Sequence, residues 1–157
     1  MQSIQPCLWF DTQAEEAAAF YVSIFKDSRI VDVARYPEGS PGTAGKAMTV
    51  RFVLDGQEFL ALNGGPVFTF SPAISLVVHC ETQAEVDRLW EKLTVGGEEG
   101  QCGWLTDKYG VSWQIVPNAL GAMMSAGDAA AAQRAFTAML QMKKLDIALL
   151  ERAYESA

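Results

Sequence analysis

Asp11-Thr12-Gln13-Ala14-Glu15 recurs further along the chain as Glu81-Thr82-Gln83-Ala84-Glu85. Each copy follows an apolar run and precedes a stretch of helical periodicity. In each, a threonine and the glutamate three residues on predict a capping box: the hydroxyl accepts from the free amide at the third helical position, and the glutamate reaches back. One such box is common. Two, at matched places in two strand-helix units, predict a duplicated module.

Outward from the first copy, residues 4–10 read as a strand, and residues 12–25 as a helix carrying Ala17, Phe20, Tyr21 and Ile24 on one face. Lys26-Asp27-Ser28 ends it. Residues 29–36 and 47–54 alternate and are β-branched, and Asp55-Gly56 joins the latter to residues 58–62 as a tight hairpin. Between them, residues 37–45 hold turn formers with little to bury, which predicts a mobile loop. After Asn63-Gly64-Gly65-Pro66 the order β-α-β-β-β restarts with a strand over 74–78 and the second box. The helix that follows places Val86, Leu89, Trp90 and Leu93 on one face. A weak strand in 97–101, a strand at 104–106, a turn at 107–110 and a strand at 111–116, closed by Pro117, complete it.

Beyond Pro117 the composition turns to Ala, Met and Leu. Residues 129–142 read as a helix with Phe136, Met139 and Leu140 as its apolar stripe, and Asp146 is placed to cap a last helix over 147–154, with Leu145 and Leu150 as its hydrophobic staple. Such a tail reads as packing surface, for this chain's own sheet or for a partner's. The prediction is an α+β fold: a single domain, 1–157, of two tandem βαβββ modules at 1–66 and 67–117 with a helical tail at 118–157.

With 157 residues, half of them apolar, the chain is long enough to bury a core and too apolar to be disordered. Nineteen acidic against twelve basic residues give a net charge of -7, and apart from Lys143-Lys144 the cations are scattered. Without a basic stripe, neither nucleic acid nor an anionic membrane surface is expected as a partner. Cys7, Cys80 and Cys102 are odd in number and lack CxxC spacing, which argues against a disulfide framework and a zinc clip. Met1-Gln2-Ser3-Ile4-Gln5-Pro6 has no basic region followed by an apolar stretch, and no run approaches the roughly 20 apolar residues of a spanning helix. The expectation is a soluble cytoplasmic protein in a reducing compartment.

Tandem βαβββ modules resemble the vicinal oxygen chelate superfamily, which includes glyoxalase I, extradiol dioxygenases and bleomycin-resistance proteins. More narrowly, Pro6-Cys7-Leu8-Trp9-Phe10-Asp11, Leu60-Ala61-Leu62-Asn63-Gly64-Gly65-Pro66 and the run from Gly103-Trp104-Leu105-Thr106-Asp107 through Trp113-Gln114-Ile115-Val116-Pro117 resemble its PhnB-like branch, which often carries the description 3-demethylubiquinone-9 3-methyltransferase. The resemblance extends to the Met-Lys-Lys-Leu-Asp-Ile-Ala tail. It implies a cup-shaped sheet from each module, a pocket inside the cup, and a homodimer whose chains complete each other's sites. It also implies metal-ligand positions near Cys7 (or Gln5), Ala61, Ser75 and Gln114. Alanine offers no donor and serine rarely ligates, so this set does not suit zinc, nickel or iron, and neither metal nor other cofactor is called for.

The remaining candidates divide between chemistry and packing. His79, the only histidine, is of the residue type that serves as a general base, but it sits at a strand end beside a helix cap, which favours a solvent-facing or hydrogen-bonded structural histidine. Cys7 shares a strand face with Gln5 and Trp9; it is a nucleophile if its pKa is lowered and a small hydrophobe if not. Asn63 can orient a ligand carbonyl or simply begin a turn, and Gly64-Gly65 permits close backbone approach. Trp9, Trp104 and Trp113 supply aromatic area, Trp113 on the core side. No GxGxG turn and no alternating βαβ order are present, so the usual S-adenosylmethionine fold is not encoded.

The leading expectation is a dimeric protein, binding or metal-independently transforming a small aromatic or hydrophobic molecule in a cup lined by Cys7, Trp9, Asn63, Ser75 and Gln114. Its alternatives are a metal-dependent lyase, isomerase or dioxygenase with atypical ligands, and an antibiotic-sequestering protein of the bleomycin-resistance type.

Overall fold

A computed structural model describes residues 2–41 and 43–156, and these form two compact units, Met1–Phe70 and Ser71–Ala157. The first contains β1 (Cys7–Phe10), α1 (Ala14–Ile24), β2 (Arg29–Arg35), β3 (Ala47–Leu54) and β4 (Gln57–Asn63). Its sheet runs β1-β4-β3-β2, with β1 parallel to β4 and the other pairs antiparallel.

Asp55 and Gly56 both take positive φ, the geometry of the two-residue turn that matches strand twist, and they pair Leu54 with Gln57 as predicted. Helix α1 buries Ala14, Ala17, Ala18, Tyr21 and Ile24. Its small residues let it lie close to the sheet, where Tyr21, Phe52 and Phe59 stack in sequence. Strand β2 is the exposed edge, and two register shifts plus the Arg51–Asp32 ion pair guard it against pairing with another strand. The turn-rich stretch after it folds on itself: Ala44 donates to Ser40 O, Lys46 to Thr43 O and Tyr36 to Lys46 O.

The second unit repeats the order with β5 (Leu76–Cys80), α2 (Gln83–Thr94), β6 (Glu98–Glu99), β7 (Trp104–Thr106) and β8 (Ser112–Pro117), in a sheet running β5-β8-β7-β6. The predicted face of α2 is buried at Val86, Leu89, Trp90 and Leu93. The strand expected over 74–78 starts later, so Ser75 lies just outside it.

Three helices follow: α3 (Asn118–Ser125), α4 (Ala129–Met139) and α5 (Ile147–Glu155). The sequence reading did not anticipate α3, which has Gly121 in its middle and the uncapped Pro117 at its start. Asp146 caps α5 by accepting from Leu149 N at 3.0 Å, and the stapling residues Leu145 and Leu150 are fully buried with Leu120, Met123 and Ala135. The stripe expected on α4 is only partly right. Ala131 and Ala135 are its buried residues and Met139 packs beside them, whereas Phe136 and Leu140 are 42% and 46% exposed. Small side chains allow α4 to approach its neighbours closely, and bulky Phe136 is turned outward.

The segment leading into α5 is fastened to its own unit. Cys102 N donates to Met142 O and Gly103 N to Lys143 O, and Lys144 pairs with Asp87 at 2.8 Å. Lys144 and then Gln83 hold the Asp87 carboxyl below the ordinary carboxylate range. The Gln83 amide donates to Leu145 O and accepts from Ile147 N.

Candidate functional site

Each sheet carries its helix on one face and leaves the other open. In the first unit, strand register aligns Cys7, Leu60, Arg51 and Asp32 in one row of the open face and Trp9, Leu62, Thr49 and Ala34 in the next. Leu8 and Phe10, alternating with Cys7 and Trp9, are buried under α1, as a period of two requires.

Trp9 is held firmly. Its indole N–H donates to Gly65 O at 3.0 Å, its ring meets Phe68 edge-on at 5.0 Å, and its six-membered ring lies against Gly64. A Cβ on Gly64 would stand 2.3 Å from Cζ2 of that ring, so glycine is required there by contact. The Cys7 thiol is pushed above its ordinary pKa by burial, and it stays protonated at neutral pH. Protonated thiols are poor nucleophiles and poor ligands, but the residue is exposed, so the expected role of a buried small hydrophobe is not met either.

Asn63 departs from the expected constellation. It is in register with buried Phe10, and its side chain works on the helix side of the sheet. Its Oδ1 accepts from Ala14 N at 2.8 Å, capping α1, and its Nδ2 donates to Ala47 O at 3.0 Å. The Tyr36 hydroxyl donates to its carbonyl at 2.7 Å. Asn63 therefore joins α1, β2, β3 and β4, and does not share the face of Cys7 and Trp9. Ala61 is likewise on the helix side, in register with Leu8 and fully buried. The residue beside Cys7 is Leu60.

In the second unit, Val77, Gln114 and Trp104 align across the open face, with His79 and Val116 in the next row. Gln114 Nε2 donates to Ser75 Oγ at 3.0 Å, so the two expected residues of this module do meet. His79 is exposed near the end of β5. Trp113 is core, as predicted, and its indole N–H donates to Asp107 Oδ2 at 2.8 Å. The buried Asp107 carboxylate also accepts from Tyr109 N and Val111 N. The Asp-Lys-Tyr-Gly turn is thus a structural knot, and the long motif around it serves the fold. The Cys80 thiol, buried on the helix side and near Glu85, has its pKa pushed up to about 11.

Residues not expected at a site from sequence are Leu60 and Leu62 on the first open face, together with the Arg51–Asp32 pair, while Trp104, expected only as aromatic area, lies on the second. The Asp55-Gly56 turn was a usable signal for two of them. It fixes β3 against β4 and so places Arg51 opposite Leu60.

A metal of the superfamily's usual kind does not fit the donors present. Ala61 is buried and donorless, Leu60 replaces it beside Cys7, Cys7 holds its proton, and Ser75 and Gln114 bind each other. Among the described residues, no three His, Cys, Asp or Glu side chains gather closely enough to hold an ion. No described helix is long and apolar enough to cross a membrane.

Two βαβββ modules with β1-β4-β3-β2 sheets define a protein of the glyoxalase-like, vicinal oxygen chelate class. The fosfomycin resistance protein FosX from Listeria monocytogenes, whose structure contains Mn(II) and sulfate, shares that fold at 14% identity with a TM-score of 0.53, over 73% of this chain and 89% of its own. The family model for 3-demethylubiquinone-9 3-methyltransferase matches residues 2–116, and the chain belongs to that PhnB-like family. A PhnB protein from Bacillus cereus bearing the same description is 42% identical, with a TM-score of 0.69, over 74% of this chain and 99% of its own. Protein PA1353 from Pseudomonas aeruginosa shares the fold at 22% identity and a TM-score of 0.62, over 74% and 98% of the two chains. No curated protein matches the chain. The family match ends short of α3, α4 and α5, although the sequence resemblance had taken in part of that tail.

Proposed function

We propose that the chain binds a small, flat, aromatic or hydrophobic molecule on the open faces of its sheets, and that any turnover is metal-independent. The observation that carries this reading is the character of those faces. A sheet face turned to water is ordinarily polar, yet here the first bears Trp9, Leu60 and Leu62, and the second bears Trp104 and Val77, while Val116 of the same face packs against the C-terminal helical cluster. Polar groups stand among them: Cys7, Thr49 and the mutually paired Arg51 and Asp32 on the first, Ser75, Gln114 and His79 on the second. Aromatic and aliphatic surface with sparse, adaptable hydrogen-bonding groups suits flat ligands. Membership of the family supports a homodimer, and the reduced cysteines support a cytoplasmic setting.

Methyl transfer has no support in the residues. The sheets lack the doubly wound parallel order that carries the usual methyl donor, and no glycine-rich turn follows a first parallel strand. A second reading, sequestration of a cationic antibiotic, draws on the net charge of -7, which would attract such a ligand over distance.

Thermal shift and tryptophan quenching against menadione, an α-keto acid and bleomycin test these readings, since a ligand selective for the folded state raises Tm. Menadione should raise Tm and quench fluorescence, and Trp9→Ala should weaken it about tenfold. Stabilisation by bleomycin alone would favour sequestration. A stoichiometric transition metal in protein purified without chelator, lost on Gln114→Ala, would defeat the metal-independent reading, and turnover of a demethylated quinone with S-adenosylmethionine would restore the methyltransferase one.

A further inference from the structure

A concave space of about 840 Å³ lies in the first unit between the start of α1, the end of β2, the start of β3 and the exit of β4. Its size falls in the range of small-molecule sites. Its lining charges are Asp11, Glu15, Arg35 and Lys46. Two of these cancel: Arg35 Nη2 stands 3.0 Å from Glu15 Oε1, and Nη1 donates to Glu15 Oε2 and to Gly45 O. The hydroxyl of Tyr36 and the amide of Asn63 are engaged within the protein.

Four polar side chains of the lining remain without a partner among the described residues: the Lys46 ammonium, the Asp11 carboxylate and the hydroxyls of Thr12 and Thr43. Lys46 and Asp11 make no ion pair with each other, so opposite charges stand apart within one concavity. A simple anion would match Lys46 and be repelled by Asp11, and a simple cation would meet the reverse. A molecule carrying both charges answers both, with the threonines as hydrogen-bonding partners for its polar atoms.

We propose that this concavity is a second small-molecule site, for a zwitterion of the amino-acid or short-peptide class, with the ligand's carboxylate on Lys46 and its ammonium on Asp11. It uses none of the side chains that line the aromatic open faces, and touches the first of them only through the Gly64-Gly65 backbone on which Trp9 packs.

The test is titration of the full chain with glycine, glycylglycine, acetate and methylammonium, following the backbone amide resonances of Thr12, Gly45 and Lys46. Saturable shifts are expected with a zwitterion. Glycine as the tighter ligand points to a free amino acid, and glycylglycine to a peptide. Both exposed residues tolerate replacement, and Lys46→Ala and Asp11→Asn should each weaken binding about tenfold, the value of one charge-assisted hydrogen bond. Absence of saturable shifts, acetate or methylammonium binding as tightly as the zwitterions, or unchanged affinity in either variant would overturn the assignment.

Discussion

At the starts of α1 and α2 the same Thr-Gln-Ala-Glu run meets two different solutions. In the second module the reading from sequence holds: Thr82 Oγ1 accepts from Glu85 N at 3.2 Å, and Glu85 Oε2 accepts from Glu81 N at 3.0 Å. In the first, Thr12 does not cap. Gln13 occupies the cap position without a side-chain bond, Asn63 supplies the acceptor for Ala14 N from the end of the neighbouring strand β4, distant in sequence, and Glu15 turns to Arg35. The contrast extends to the turn regions. The second module gathers its donors on Asp107 from residues within one short segment, whereas the first gathers α1, β3 and β2 on Asn63 from distant ones. Duplicated sequence thus gives duplicated topology while the polar bonds that fasten each copy differ, one set local and one long-range.

Asp107→Ala should have the largest effect. It strands three donors in a buried turn, and urea denaturation should show a loss of about 3–4 kcal/mol, with near-ultraviolet circular dichroism reporting a freed Trp113. Asn63→Ala comes next, at about 2–3 kcal/mol in the same measurement, because it removes a helix cap and unpairs Ala47 O. Asn63→Asp keeps the acceptor and loses the donor, so it should fall between that variant and the native chain. If Asn63→Ala proved neutral, the long-range half of the comparison would fail.

The two caps themselves offer a sharper contrast. Thr82→Ala should cost about 1 kcal/mol, whereas Thr12→Ala should cost no more than about 0.3 kcal/mol. Equal losses would mean that the first box forms after all. Cys80 adds a contrast that appears only in alkaline solution. Its pKa rises from 9.0 to about 11 on folding, so the folded chain retains a proton that the unfolded chain gives up. The stability this contributes is complete below pH 9.0 and is lost as pH climbs toward about 11. Stability curves of the native chain and Cys80→Ala should therefore converge over that interval and run parallel below it.

What the sequence made legible was local. The helix face of α2, the Asp55-Gly56 hairpin and the Asp146 cap with its Leu145 and Leu150 staple each depend on residues a few positions apart, and each is present. The face that β4 shares with β1 was not legible, although the Asp55-Gly56 turn set β4 against β3. Strand β4 pairs in parallel with β1 across a long connection, with no turn to fix the register, and a slip of one residue exchanges the two faces. This is why Ala61 and Asn63, expected beside Cys7, lie beneath α1, while Leu60 and Leu62 take the open side. The outward turn of Phe136 on α4 was hidden for a related reason: hydrophobicity marks a stripe, but close helix packing selected alanines.

Gln83, in the second copy of the repeat, holds residues on both sides of Asp146 through one amide. Because the same side chain stands in the first turn of α2, melting that turn and releasing α5 become parts of a single cooperative opening. Native-state hydrogen exchange should find the amide of Ile147 opening with the free energy of the α2 core amides, and Gln83→Ala should divide them into two separately exchanging groups.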